Sequence, residues 1–173
     1  MAYVECFKLQ GLMHTTIMFL QCELWNQEWK EKAMDKVILS QKAMSELLSP
    51  DNGTKMLANE LGLQNPKQIF IPIVHEKHWF LFVISSNKTI YILDSFPSQS
   101  REPVISGILS TLKKLLEKST AGSHYTSRVL EVKPQENKYA SFTKIFFAAS
   151  ASSLSWLIFF SYDCGAASGS SLS

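Results

Sequence analysis

IFIPIVHEKHWFLFVISSNKTIYILDSFPSQ, residues 69–99, is the stretch from which the rest of the chain is read. Together with Gln68 it holds three short apolar runs, over 68–74, 79–85 and 89–93. The middle run, WFLFVIS, is apolar at both alternating positions, which predicts a central strand covered on both faces. Ser85-Ser86-Asn87-Lys88 between the second and third runs is a polar hairpin turn. Pro72 lies inside the first run and argues for an edge strand or a bulge there, because proline cannot donate to a ladder.

Downstream, residues 102–118 predict a helix. Pro103 suits its first turn, and Ile105, Ile108, Leu109, Leu112, Leu115 and Leu116 form one apolar stripe. TSRVLEV, residues 126–132, reads as a final strand. Upstream, Trp29, Ala33, Val37, Met44 and Leu48 recur near helical spacing and predict one helix over 26–48, stopped by Ser49-Pro50-Asp51-Asn52-Gly53. A shorter helix follows through Met56, Leu57 and Leu61 and ends at Gly62. Helices, a clustered hairpin, another helix and a strand imply an α+β fold rather than repeated βαβ units.

The chain has 173 residues, 46% of them apolar and 18% charged, which suits one folded domain and excludes full disorder. The formal charge of +2 and the lack of any basic run longer than Lys113-Lys114 argue against nucleic acid as a partner. Cys6, Cys22 and Cys164 make neither a disulfide framework nor a C-x-x-C pair, which suits a reducing compartment and leaves room for one reactive thiol. The opening MAYVECFKLQ lacks the basic start and apolar run of a secretory signal. The expected location is therefore intracellular, in nucleus or cytoplasm.

Composition changes at residue 140. Residues 140–173 carry only two charges, Lys144 and Asp163, and ten serines. IFFAASASSLSWLIFFSY, residues 145–162, is 18 residues without a charge. A bilayer span needs about 20 apolar residues, but five serines dilute this run and no basic cluster follows it, so a membrane anchor is the lesser reading. The end, AASGSSLS, reads as a disordered tail.

Four side chains form an interpretable set in chain order: His78, Asp94, Gln135 and Cys164. A cysteine nucleophile needs a nearby base, because a free thiol is mostly protonated at neutral pH. Histidine titrates in the right range, and a carboxylate can orient its ring. His78 precedes the central strand and Asp94 ends the next one, so antiparallel pairing brings them together. A glutamine amide is a suitable oxyanion donor. Each has a plainer reading: a structural histidine, an Asp capping its own turn, a loop glutamine, a spare thiol. Trp79 is by default a core residue, and His75-x-x-His78 with Glu76 is a weak metal signature.

Residues 69–99 strongly resemble the ubiquitin-like-protein protease family, cysteine proteases that include the SUMO-specific enzymes. Ile71-Pro72-Ile73, His78-Trp79 and Leu93-Asp94-Ser95 match that family's strand, His-Trp pair and Leu-Asp-Ser, all in order. Pro134-Gln135-Glu136-Asn137 resembles its Pro-Gln-x-Asn segment, and Asp163-Cys164-Gly165 its nucleophile motif. The resemblance covers 68–139 clearly, plus those three residues. It implies a papain-like α+β fold and peptide or isopeptide hydrolysis without cofactor or metal. It implies Cys164 as nucleophile, His78 as general base, Asp94 as its orienting partner and Gln135 as oxyanion donor. It implies further that Trp79 holds the extended Gly-Gly tail of a SUMO-type modifier, which is the expected partner, free or conjugated. Glycine alone lets a backbone pass so narrow a channel.

The pattern breaks between Gln135 and Cys164. The family sets these about six residues apart, whereas here they are 29 apart, and removing residues 140–162 restores the spacing. The chain is thus expected to divide into a partial catalytic domain at 1–139, an apolar Ser/Phe-rich insertion at 140–162 and a nucleophile motif with tail at 163–173. A retained intron would account for the insertion. The family also continues from its cysteine into an apolar helix, which Gly165-Ala166-Ala167-Ser168-Gly169 does not resemble. Two functions stand against each other: a thiol protease for ubiquitin-like modifiers, and a non-catalytic fragment that keeps at most modifier or protein binding. A tail-anchored membrane protein is a third.

Overall fold

The computed structural model describes residues 15–49, 54–63, 68–76, 78–119 and 124–130. A five-stranded mixed sheet carries helices on both faces. In chain order the elements are α1 (Thr15–Glu31), β1 (Lys36–Ile38), α2 (Gln41–Leu48), α3 (Lys55–Leu63), β2 (Gln68–His75), β3 (His78–Ser85) and β4 (Thr89–Leu93). A 3-10 turn (Gln99–Arg101) then leads into α4 (Glu102–Ser119), and β5 (Thr126–Leu130) closes the described chain. The strands lie in the order β1-β2-β3-β4-β5. β3 is antiparallel to both neighbours, while the outer pairs β1–β2 and β4–β5 are parallel.

β3 is the central strand that its unbroken apolar run demands. Phe80, Phe82 and Ile84 join Ile69, Ile71, Ile73, Ile90 and Ile92 on one face, under Met44 and Leu47 of α2, Leu57 and Leu61 of α3, and Ile108, Leu112 and Leu116 of α4. Leu81, Val83, Phe70 and Leu93 occupy the other face, under Met18, Cys22, Trp25 and Trp29 of α1. Those four α1 residues recur at helical spacing and make one buried stripe. Burial pushes the Cys22 thiol up to about 12, with the charge of Glu23 adding to the rise, so this cysteine is an inert core residue.

The single helix expected over 26–48 is instead a helix, a strand and a second helix. α1 ends in a Schellman turn: Met34 N–H bonds Trp29 C=O at 2.8 Å, Ala33 N–H bonds Lys30 C=O at 3.1 Å, and Ala33 takes φ 50°. Beyond it, the Asn26 amide donates to Ile38 C=O and accepts from Ile38 N–H, both at 2.8 Å, which holds β1 against the helix. Ser40 restarts the chain as the N-cap of α2, its hydroxyl accepting from Ala43 N–H at 3.2 Å.

Pro72 also needs a correction, since β2 is an interior strand. β1 reaches only Gln68, Ile69 and Phe70, however, so Pro72 lies past its end, where the missing N–H deprives no ladder partner. The turn after β3 forms as expected: Lys88 N–H bonds Ser85 C=O at 2.9 Å, with Lys88 at φ 60°. Among the described residues no helix is long and apolar enough to cross a membrane.

Candidate active site

The open end of the β3–β4 hairpin gathers the chemistry. The register Leu81↔Leu93 and Phe82↔Ile92, carried on, sets Phe80 opposite Asp94 and leaves His78 on the same face, diagonal to it. Diagonal neighbours on a sheet face lie about 7–8 Å apart, which two polar side chains can bridge. They do: His78 Nε2 lies 2.6 Å from Asp94 Oδ1. A carboxylate only accepts, so Nε2 carries the hydrogen and neutral His78 presents the Nδ1 lone pair. Asp94 Oδ1 accepts a second bond from Phe96 N–H at 2.9 Å, an Asx-type turn that fixes the carboxylate against the chain leaving β4. The Phe96 ring stands 6.4 Å from the imidazole.

Sequence reasoning missed Arg101. Its Nε lies 3.6 Å from Asp94 Oδ2, and its Nη2 donates to Phe96 C=O. The Arg101 and Asp94 side chains are 6% and 5% exposed, so the charges face each other out of water. Burial pushes the Asp94 carboxyl up, but the hydrogen bonds from His78 and Phe96, with the charges of His78 and Arg101, outweigh it. The group is held below its ordinary value and is ionised at neutral pH. One signal in the sequence was available. A cation just before a helix N-terminus opposes the helix dipole, so Arg101 ahead of Glu102 and Pro103 calls for a carboxylate partner.

Trp79 begins β3 beside His78 but, by strand alternation, on the other face. It is half-buried and meets the Phe19 ring of α1 edge-on at 6.3 Å. His75 pairs across the β2–β3 turn with His78, its Nε2 4.0 Å from Glu76 Oε1. Among the described residues no group of three or more His, Cys, Asp or Glu is placed to hold a metal ion. Gln135 and Cys164 lie outside the described residues, as do the segment 140–162 and the tail at 163–173. The His78–Asp94 pair is therefore the part of the expected site that the structure brings together.

The sequence profile of the Ulp1 protease family, C-terminal catalytic domain, matches residues 15–142. The chain belongs to this family. The match starts at α1, well before the motifs around residues 69–99, and stops short of Cys164. No curated protein sequence matches the chain. Among solved structures, this Ulp1-family domain resembles SUMO protease Ulp1 with its catalytic cysteine oxidised to a sulfenic acid. The TM-score is 0.63 at 19% identity, covering 90% of this chain and 77% of that one. It also resembles the C-terminal Ulp1 protease domain in complex with Smt3, the yeast ortholog of SUMO, with TM-score 0.60, 22% identity and coverage of 79% and 64%. A third is the Xanthomonas campestris effector XopD bound to ubiquitin, with TM-score 0.54, 15% identity and coverage of 75% and 69%. The Ulp1-family domain thus has the α+β protease fold that its hairpin motifs implied.

Proposed function

We propose that the chain acts as a thiol protease on a small ubiquitin-like modifier of the SUMO type, cutting the peptide or isopeptide bond after the modifier's C-terminal glycine. The 2.6 Å bond between His78 Nε2 and Asp94 Oδ1 carries this reading, since it leaves Nδ1 as the one basic ring nitrogen for a thiol. In the reaction, Nδ1 takes the proton from Cys164 Sγ and the thiolate attacks the scissile carbonyl carbon. The Gln135 amide donates to the oxyanion. Collapse breaks the C–N bond, and His78 returns the proton to the leaving amine. Water then hydrolyses the thioester with His78 again as base, and Asp94 steadies the imidazolium formed in each half. Trp79 lines the path of the extended tail. The complexes of the related Ulp1 domain with Smt3 and of XopD with ubiquitin support a modifier as partner.

A modifier carrying a C-terminal vinyl sulfone tests the reading: rapid labelling that is lost in Cys164→Ser and strongly slowed in His78→Ala is the expected result. Labelling no faster than by free cysteine would overturn it.

The 29-residue separation of Gln135 and Cys164, with a family match that ends at residue 142, favours a second reading in which the domain binds modifier without cutting it. Grafting an apolar helix after Gly165, with and without residues 140–162, separates the two. If only the deleted form cuts a modifier precursor, the segment is foreign to the fold and disables it. Equal cutting by both forms makes it a tolerated loop.

A further inference from the structure

The buried atoms Asp94 Oδ2 and Arg101 Nε share one property: neither has a hydrogen-bond partner among the described residues, and each faces the other at 3.6 Å. A buried charge without a counter-charge is costly, so each of these groups depends on the other. Arg101 is itself held in place, because Nη2 donates to the carbonyl of Phe96, whose own N–H bonds Asp94 Oδ1. Asp94, Phe96 and Arg101 therefore close a ring of contacts in which Oδ1 serves the backbone and His78 while Oδ2 serves the guanidinium.

We propose that Arg101 is a positioning residue for His78, acting through Asp94. A carboxylate can swing about its last bond until neither oxygen faces Nε2–H, and a buried one can also take up a proton. Arg101 opposes both, since it keeps Asp94 charged and gives Oδ2 a fixed partner. Oδ1 then stays on Nε2–H, and the basic lone pair of His78 stays on Nδ1. Lysine cannot replace it in full, because one ammonium cannot span the carboxylate and the Phe96 carbonyl as the planar guanidinium does. Among the described residues, the other charged or titratable groups at this end are His75 and Glu76 on the β2–β3 turn, with Glu76 bonded to Ser100 Oγ at 3.3 Å, and Glu102 opening α4. The catalytic consequence rests on the protease reading, whereas the test below does not.

The readout is the tautomer of neutral His78 in the full-length protein, seen by long-range proton–nitrogen correlation in labelled samples and assigned with His78→Ala. The wild type is expected to hold Nε2–H alone. Arg101→Gln is expected to raise the Nδ1–H form by roughly tenfold, the scale of one lost charge-assisted contact. Arg101→Lys should fall between the two. An Arg101 that only stabilised the fold would lower the thermal midpoint and leave the tautomer alone. A folded Arg101→Gln with wild-type tautomer overturns the proposal. If Arg101→Gln does not fold, Arg101→Lys decides: a mixed tautomer supports the proposal and a pure Nε2–H form overturns it. Failure of the modifier probe to label Cys164 would strike the protease reading and leave this result unaffected.

Discussion

The strands of the β2–β3–β4 meander run between two ends that are built differently. At the closed end, Ser86, Asn87 and Lys88 are exposed and the turn is held by short local bonds, Lys88 N–H to Ser85 C=O and Thr89 N–H to the Asn87 side chain. At the open end, Asp94 and Arg101 are buried charges, and His78 is bonded to one of them. Reversing a chain needs only the first arrangement. Burying an ion pair gains little or nothing in stability over an apolar pair, so the open end carries groups that folding did not require. The shared strands between the ends are the fold, and the difference between the ends marks the site.

Breaking the shared part should break both ends together. Phe82 is fully buried at the middle of β3, so Phe82→Ala is expected to cost about 3–5 kcal/mol in urea unfolding. Hydrogen exchange should then show the amides beside Lys88 and beside His78 losing protection in step. Loss at one end alone would mean that the ends fold as separate units.

Asp94→Ala should separate the ends. It leaves Arg101 buried without its counter-charge, and a loss of about 3 kcal/mol is expected, with the Ser85–Lys88 turn unaltered. The pH dependence has a definite sign. Asp94 has a depressed carboxyl value in the fold, so its stabilisation is complete above the unfolded value of about 3.9 and fades as pH falls through the lower folded one. The gap between wild type and Asp94→Ala should therefore close in acid. A gap that stays constant from neutral pH to pH 2 would show that the charge contributes nothing.

The hairpin was legible because its signals are local. An unbroken apolar run in residues 79–85, a polar turn and the antiparallel pairing that follows from them together bring His78 beside Asp94. Arg101 was not legible in that way, since its partner is fixed only once the 3-10 turn folds back beneath the end of β4. The upstream error has a different cause. Ala33 occupies a left-handed position where glycine usually announces a helix end, and β1 has only three residues, too few to show a strand period. The helical spacing of Trp29, Ala33 and Val37 therefore ran across a real break. Ala33→Gly should relieve the strained φ of 50° and stabilise by about 1 kcal/mol, measured as a raised urea midpoint at unchanged slope.

Each end of the meander also bends through one non-glycine residue at positive φ, Lys88 at 60° and Glu76 at 51°. Backbone strain alone predicts a benefit from glycine of about 1 kcal/mol. At Glu76 a side-chain bond offsets it. Glu76 Oε2 accepts from Ser100 Oγ at 3.3 Å, which ties the β2–β3 turn to the chain entering α4. A surface hydrogen bond is worth about 0.5–1 kcal/mol net, so Glu76→Gly should come out near neutral. In a Ser100→Ala background Glu76→Gly should regain the full benefit, because the bond it sacrifices is already gone. Full stabilisation by Glu76→Gly in the wild-type background would show that the Glu76–Ser100 tie contributes nothing.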